Sequence, residues 1–332
     1  MKFLKMKKNN VEKDFTIIIP SRKIDINLEQ CLRQIRKFYK KIKIIIILDD
    51  YNKKFRDPNI IVLITKNKTI GFKRNLAVKK ANSKYVCFID SDAYPNSLWL
   101  KNVNNIFKSD KKIAGVGGPN LSPKTSNIEK KIVARARKLS FVTLNKNVKK
   151  IPKKNEIFHF LPSCNLIIKR NIYIRLGGMD ENLYSGEEIS LNHKLKSAGY
   201  YLVFSPDVIV FHKDRNFKHF SRQRFIYGST GLRLFLKYPN LQSFQLLISS
   251  IPLFFVLSLI FILKNKLLVT YYVCGIIMLL ILILLNALKI NYQNNFLKSL
   301  KLTFISIFYP GYGLILSFFL SDKKLSSFYT QR

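Results

Sequence analysis

Three long stretches without a charge occupy the last 90 residues, and they constrain the chain more than any other feature. Phe244–Leu263 holds 20 residues, Leu267–Leu288 holds 22 and Leu302–Leu320 holds 19. About 20 apolar residues cross the hydrocarbon of a bilayer as a helix. The first 240 residues instead alternate short apolar runs with charged ones. The pattern predicts a basic tail over residues 1–13, a folded domain over 14–240, and a membrane domain over 241–332 with spans near 244–263, 267–288 and 302–320. Pro310, Gly311 and Gly313 interrupt the third stretch. Two crossings with a broken, re-entrant or interfacial third therefore stand beside three full crossings.

The 58 Lys and Arg outnumber the 19 Asp and Glu, giving a net charge of +39. Such a surface attracts anionic lipid head groups or a diphosphate, although Lys, Ile and Asn are abundant everywhere in the chain. Nucleic acid is not an expected partner, because no nucleic-acid motif accompanies the charge. Met1–Lys13 has five lysines but lacks a signal peptide's long apolar run. The folded part is therefore expected to stay cytoplasmic at the cell (inner) membrane, with multi-pass anchoring. With three crossings Lys264–Lys266 lies outside, Lys289–Lys301 inside and the tail from Ser321 outside. The basic residues Lys323, Lys324 and Arg332 oppose that last placement. Cys31, Cys87, Cys164 and Cys274 have no metal-ligand or redox spacing and read as free thiols buried as small hydrophobes.

Within 14–240 the apolar runs Phe15–Ile19, Ile42–Leu48, Ile60–Thr65, Tyr85–Ile89 and Ile113–Val116 read as strands. Leu28, Cys31, Leu32, Ile35 and Phe38 recur at helical spacing. Gly71–Ala81 reads as a helix with Phe72, Leu76 and Ala77 on one face. Strands alternating with helices imply crossovers and a mostly parallel sheet with both faces covered. Residues 119–157 have weak periodicity and read as a variable surface segment. Asn165–Lys169 and Val208–Phe211 read as strands, and Glu187–Ala198 and Phe217–Leu236 as helices.

Ligands of such sheets bind at the carboxyl ends of strands. Three strands here end in polar residues: Pro20-Ser21, Asp49-Asp50 and Asp90-Ser91-Asp92. Asp90 and Asp92, two residues apart, can aim both carboxylates at one Mg²⁺ or Mn²⁺, an ion that stabilises a departing diphosphate. A carboxylate at Asp49 or Asp50 can accept hydrogen bonds from a base. Arg74 can neutralise a diphosphate, whereas Lys73 reads as part of a solvated helix face. The adjacent Glu187 and Glu188 can raise one another's pKa and so supply a base. His212, Arg215, Gln223 and Arg224 belong to a basic, polar patch before the apolar stretches that can hold phosphates.

The order of these motifs resembles the family 2 glycosyltransferases. FTIIIPS over Phe15–Ser21, Leu48–Asp50, GFKRNLAVKKA over Gly71–Ala81, FIDSDAYP over Phe88–Pro95, GGMDENLYSGEEISL over Gly177–Leu191, and His212–Arg233 are similar to its successive motifs. The likeness covers about residues 14–235. It implies a GT-A fold, which is Rossmann-like with a mostly parallel central sheet, followed here by transmembrane helices. It implies a nucleotide-sugar donor (a UDP-sugar is the first expectation) bound by Pro20, Ser21, Asp49, Asp50, Arg74 and Asp90. The metal falls to Asp90 and Asp92, the base to Glu188, and acceptor or phosphate contacts to Glu187, His212, Arg215, Gln223 and Arg224. The implied reaction inverts the sugar configuration and delivers a single sugar to a lipid-linked or glycan acceptor in cell-surface polysaccharide or glycolipid synthesis. Membrane lipids are further partners. Two departures matter. Glu187-Glu188 stands where Glu-Asp is usual, and Tyr51-Asn52 follows Asp50 where Asp-Gly is usual. Gln-x-x-Arg-Trp is absent, so processive polymerisation is not expected. The rival reading is a catalytically impaired membrane scaffold of a glycan assembly complex.

Overall fold

β-Branched and aromatic residues dominate the first strand, β1 (Phe15–Pro20), and leave it almost wholly buried. The computed structural model describes residues 11–51, 55–66, 68–123, 127–139, 151–258 and 266–320. Asp25 caps helix α1 (Ile26–Phe38) by accepting from the Leu28 amide, and Leu28, Cys31, Leu32 and Ile35 turn inward. Strands β2 (Lys43–Leu48) and β3 (Ile60–Ile64), helix α2 (Ile70–Lys80) and strand β4 (Tyr85–Ile89) follow. Next come β5 (Ala93–Pro95), α3 (Trp99–Ser109), β6 (Ile113–Gly117), β7 (Asn120–Leu121) and α4 (Ile128–Leu139). Then follow β8 (Glu156–Phe158), β9 (Asn165–Lys169), α5 (Arg170–Arg175), α6 (Glu187–Ser197), β10 (Tyr201–Phe204) and β11 (Val210–His212).

The main sheet has the order β3-β2-β1-β4-β9-β6-β10-β8. Strands β1, β2, β3, β4, β6 and β10 share one direction. The mostly parallel sheet expected from the alternation is thus present. Its exceptions are β9, antiparallel to both β4 and β6, and β8, antiparallel to β10. A small second sheet joins β5, β11 and β7.

Contacts cluster the chain into two units. The first takes in the described residues of Met1–Leu121, Pro152–Asn182 and Lys194–His212, and so contains both sheets. The second takes in those of Ser122–Ile151, Leu183–His193 and Lys213–Arg332. Its helices are α4, the start of α6, α7 (Phe217–Lys237), α8 (Leu241–Ile248), α9 (Ile251–Leu257), α10 (Lys266–Ile290) and α11 (Phe296–Phe319).

Part of the segment expected to be irregular is a helix. On α4, Ile132, Val133 and Ala136 are buried in a cluster with Phe217, Phe220, Ile290, Leu302 and Ile305 of the same unit. The lysines and arginines between those positions conceal the apolar stripe in the sequence. Residues 140–150 lie outside the described residues.

Among the described residues two helices are long and apolar enough to cross a membrane, Leu268–Ile290 and Phe296–Phe319. The most apolar window of the first is 11% buried and that of the second 50%. Within the stretch expected to span 244–263, the described part comprises α8 and α9, joined through Ser249 and Ser250, which keep right-handed helical angles. Residues 259–265 lie outside the described residues. Of the two alternatives for the third stretch, one has the helix interrupted at Pro310; α11 runs unbroken through that residue. Proline has no N–H for the carbonyl four residues earlier, here Ser306. The Arg224 Nη2 donates to that carbonyl at 3.4 Å and replaces the missing donor. Small residues let α7 and α11 meet closely. A Cβ on Gly228 would stand 1.7 Å from the Pro310 carbonyl oxygen, and one on Gly313 2.0 Å from that of Phe225.

Candidate active site

The carboxyl ends of β1, β2 and β4 bring the expected polar residues of the first unit to one edge of the sheet. Parallel pairing aligns Pro20 with Ile47 and Ile18 with Phe88. Ser21 donates its amide to the Ile47 carbonyl, and the amides of Asp49 and Asp50 donate to the Arg22 carbonyl. Backbone bonds therefore fix where Pro20, Ser21, Asp49 and Asp50 stand, with Asp50 exposed and the others half-buried.

Thr69 caps α2 through its hydroxyl, which accepts from the Phe72 amide. The face this helix buries is polar: Lys73, Arg74 and Asn75 join Gly71, Ala77 and Val78, while Phe72 and Leu76 are half-buried. Lys73, read from sequence as solvated, is 3% exposed. Its Nζ lies 2.8 Å from Asp49 Oδ1 and donates to the Ser21 carbonyl at 2.9 Å. Burial lowers the Lys73 pKa, and the Asp49 carboxylate opposes that shift. The signal missed in the sequence was Asp49 itself, a carboxylate at the end of β2 that can compensate a buried ammonium.

Arg74 is 2% exposed, reaches Asp90 Oδ1 with Nη2 at 3.2 Å and lies over the Phe88 ring. The other Asp90 oxygen, Oδ2, is 3.4 Å from His212 Nε2, and the same nitrogen is 3.5 Å from Asp92 Oδ1. This juxtaposition comes from the small sheet. Antiparallel β5 and β11 pair Ala93 with His212, one residue beyond Asp92. The sequence reading grouped His212 with the phosphate-binding patch; the structure places it against both carboxylates.

Cys164 joins them. The ligand atoms of Asp90, Cys164 and His212 lie within 4.8 Å of one another. Carboxylates with an imidazole suit Mn²⁺ or Mg²⁺, and the thiol would add a softer ligand. The residues present therefore fit a divalent ion. The expectation that all four thiols are buried holds for Cys31 and Cys87, whereas Cys164 is half-buried and Cys274 exposed. Burial raises the Cys31 pKa, with the nearby Asp92 and Asp90 charges adding to the rise.

Asn75 ties α2 to the Gly177-Gly178 turn. Its Oδ1 accepts from the Tyr173 hydroxyl at 2.5 Å and the Met179 amide at 3.1 Å. Its Nδ2 donates to the Met179 carbonyl at 2.8 Å and to Glu181 Oε1 at 2.9 Å. Gly178 has φ +62°, and a Cβ there would lie 2.4 Å from Asn75 Oδ1, so glycine is required on both counts. Asn75→Ala is expected to lower stability by about 1–3 kcal/mol, because the buried Met179 groups lose partners. A chemical-denaturation midpoint checks this; an unchanged midpoint would contradict the network.

The second unit holds the acidic pair and the basic patch. Gly186, at φ +80°, precedes α6. Glu187 is buried and Glu188 half-buried in the first turn. Ser190 Oγ donates to the Glu187 carbonyl and Asn192 Nδ2 to that of Glu188. On α7, Arg224 is buried and Gln223 donates to the Tyr227 hydroxyl at 2.8 Å. Arg215 is half-buried just ahead of that helix.

Comparison with known proteins bears on this arrangement. Residues 16–177 match the family described as Glycosyl transferase family 2. Over 170 residues the chain is 26% identical to the pre-mycofactocin glycosyltransferase of Mycobacterium tuberculosis, a match covering 50% of this chain and 35% of that protein. It is 22% identical over 167 residues to the glycosyltransferase AglE of Haloferax volcanii, covering 49% of this chain and 50% of that one. The matches thus span half or less of these curated relatives. Among solved structures, the mannosyltransferase PcManGT from Pyrobaculum calidifontis, in complex with GDP-Man and Mn²⁺, superposes with a TM-score of 0.56. That match has 14% identity and covers 91% of this chain and 87% of that chain. At that identity the likeness concerns the fold, and it agrees with the GT-A architecture.

Proposed function

We propose that this chain, whose residues 16–177 belong to glycosyl transferase family 2, moves a single sugar from a nucleotide-sugar donor to a lipid-linked or glycan acceptor at a membrane. The observation that carries the reading is the approach of one imidazole to two carboxylates. His212 Nε2 lies 3.4 Å from Asp90 and 3.5 Å from Asp92, with Arg74 on the other Asp90 oxygen.

Asp90, Asp92 and His212 would hold Mn²⁺ or Mg²⁺, with Cys164 at hand. When bound, such an ion stabilises charge on a leaving diphosphate as a Lewis acid. Arg74 adds positive charge and orients Asp90. In this reading Asp49, paired with Lys73 at the end of β2, accepts from the base, and Pro20 and Ser21 contact the donor. Glu188 takes the proton of the acceptor hydroxyl, and the direct displacement inverts the sugar configuration. The intact Asp90, Asp92, Arg74 and His212 weigh against an inactive scaffold. The apolar helices α10 and α11 supply the membrane attachment, with the sheet-bearing unit on the cytoplasmic side of the inner membrane.

The test is a donor screen with purified full-length protein in detergent. Labelled UDP-, GDP- and dTDP-sugars are supplied with Mn²⁺, then with EDTA. At least one donor is expected to be consumed with Mn²⁺ and spared with EDTA, with activity returning when metal is restored. Consumption that ignores EDTA would remove the metal from the account.

A further inference from the structure

We propose that Cys164 is a sulfur ligand of the active-site cation, and that this ligand makes the site prefer ions that accept a thiolate over Mg²⁺. This rests on the metal-dependent reading above and narrows the class of ion that the site holds.

Two strand registers bring the donor atoms together, all within the first unit. Strand β9 runs antiparallel to β4 and pairs Asn165 with Ile89. Asp90 is the next residue on one side of that pairing and Cys164 the next on the other. Residues opposed across an antiparallel pair are near neighbours on one face. Strand β11 then pairs His212 with Ala93 on β5. The outcome is the separation of no more than 4.8 Å among the ligand atoms of Asp90, Cys164 and His212. The backbone beside the thiol is also fixed. Asn165 is fully buried, accepts from Trp99 Nε1 at 3.0 Å and donates to the Val208 carbonyl at 2.8 Å.

Most thiols are packed as small hydrophobes, as Cys31 and Cys87 are in the core. Cys164 is instead half-buried, with a carboxylate and an imidazole in reach. Oxygen, nitrogen and sulfur on one ion form a mixed donor set. Mg²⁺ takes oxygen ligands in near-ideal octahedral geometry and keeps several waters, so a sulfur adds little for it. Thiolate and imidazole suit Zn²⁺, and affinity at such sites rises from Mn²⁺ to Co²⁺. On binding, the thiol proton passes to solvent and the thiolate takes its place on the metal. The expected order is Zn²⁺ and Co²⁺ first, Mn²⁺ next and Mg²⁺ weakest.

The test titrates Co²⁺ into full-length protein in detergent, stripped of metal with EDTA and dialysed. The wild type is expected to bind Co²⁺ with the near-ultraviolet charge-transfer band of a cobalt–thiolate bond. Cys164→Ser should keep the visible cobalt bands and lose the charge-transfer band. Cys274→Ser, which removes the exposed thiol of α10, should keep both. Competition by Zn²⁺ and Mg²⁺ gives the selectivity. The preference for Zn²⁺ should fall by about tenfold or more in Cys164→Ser, at least what loss of an outer-shell partner costs. Thermal melts identify a variant that has unfolded. A wild-type measurement stands beside the variant: Zn²⁺ should slow alkylation of Cys164 by iodoacetamide, read by mass spectrometry, and leave Cys274 reacting as before.

Cobalt bound without a thiolate band, a band that survives Cys164→Ser, or alkylation of Cys164 that ignores Zn²⁺ would overturn the sulfur ligand and leave the metal reading intact. Failure to bind cobalt at all would remove the metal and this inference with it. If the band depends on Cys164 but no donor is consumed, the sulfur ligand stands and the transferase reading falls.

Discussion

Asp92→Asn is expected to lower sugar transfer on the order of a thousandfold, with folding unchanged. Loss of a charged ligand from a metal that stabilises a departing diphosphate costs several kcal/mol in the transition state, and each 1.36 kcal/mol is a factor of ten. The Asp92 side chain is 38% exposed and is read as a ligand, so its amide isostere fits the same space. Denaturation should shift by less than about 0.5 kcal/mol, as for ordinary surface changes. Turnover against Mn²⁺ concentration is the measurement. Normal activity with unchanged metal dependence would remove Asp92 from the metal site.

Glu188→Gln is expected to lower turnover by roughly 10²–10⁴-fold, the worth of a positioned general base, while donor affinity stays near its original value. An amide at this position cannot take the acceptor proton but keeps the side chain's size. The neighbouring Glu187 is buried and Glu188 half-buried, which favours Glu188 as the group open to an acceptor. Steady-state turnover together with equilibrium donor binding separates the two effects. A dead Glu187→Gln with a near-normal Glu188→Gln would move the base by one residue.

The parallel part of the sheet was readable because the runs ending at Pro20, Leu48 and Ile89 are apolar on both faces, and only strands covered on both sides have that composition. The direction of β9 was not readable. Asn165–Lys169 has the same strand-like composition whichever way it runs, and only its pairing with both β4 and β6 makes it antiparallel. Helix α4 escaped because three buried positions, Ile132, Val133 and Ala136, are set among basic residues.

The site divides in the same way. Asp90 and Asp92 stood out through their place after a strand, a local signal. His212 lies 122 residues from Asp90 in sequence, and only the register of β5 with β11 brings the two together. Lys73 was misread for a related reason. A lysine one residue from Arg74 on a helix is ordinarily solvated, and its burial depends on Asp49 and Ser21 from two other segments. Asn75 likewise looks unremarkable until the Gly178 turn closes over it.

The central claim is metal-dependent transfer of a sugar to an acceptor in the membrane. Its most direct measurement follows labelled sugar from the active nucleotide donor into the lipid extract of membranes containing the protein. The account predicts label in the lipid fraction with Mn²⁺, none with EDTA, and none for Asp92→Asn at equal protein level. Label that enters lipid equally with EDTA and in Asp92→Asn would contradict it.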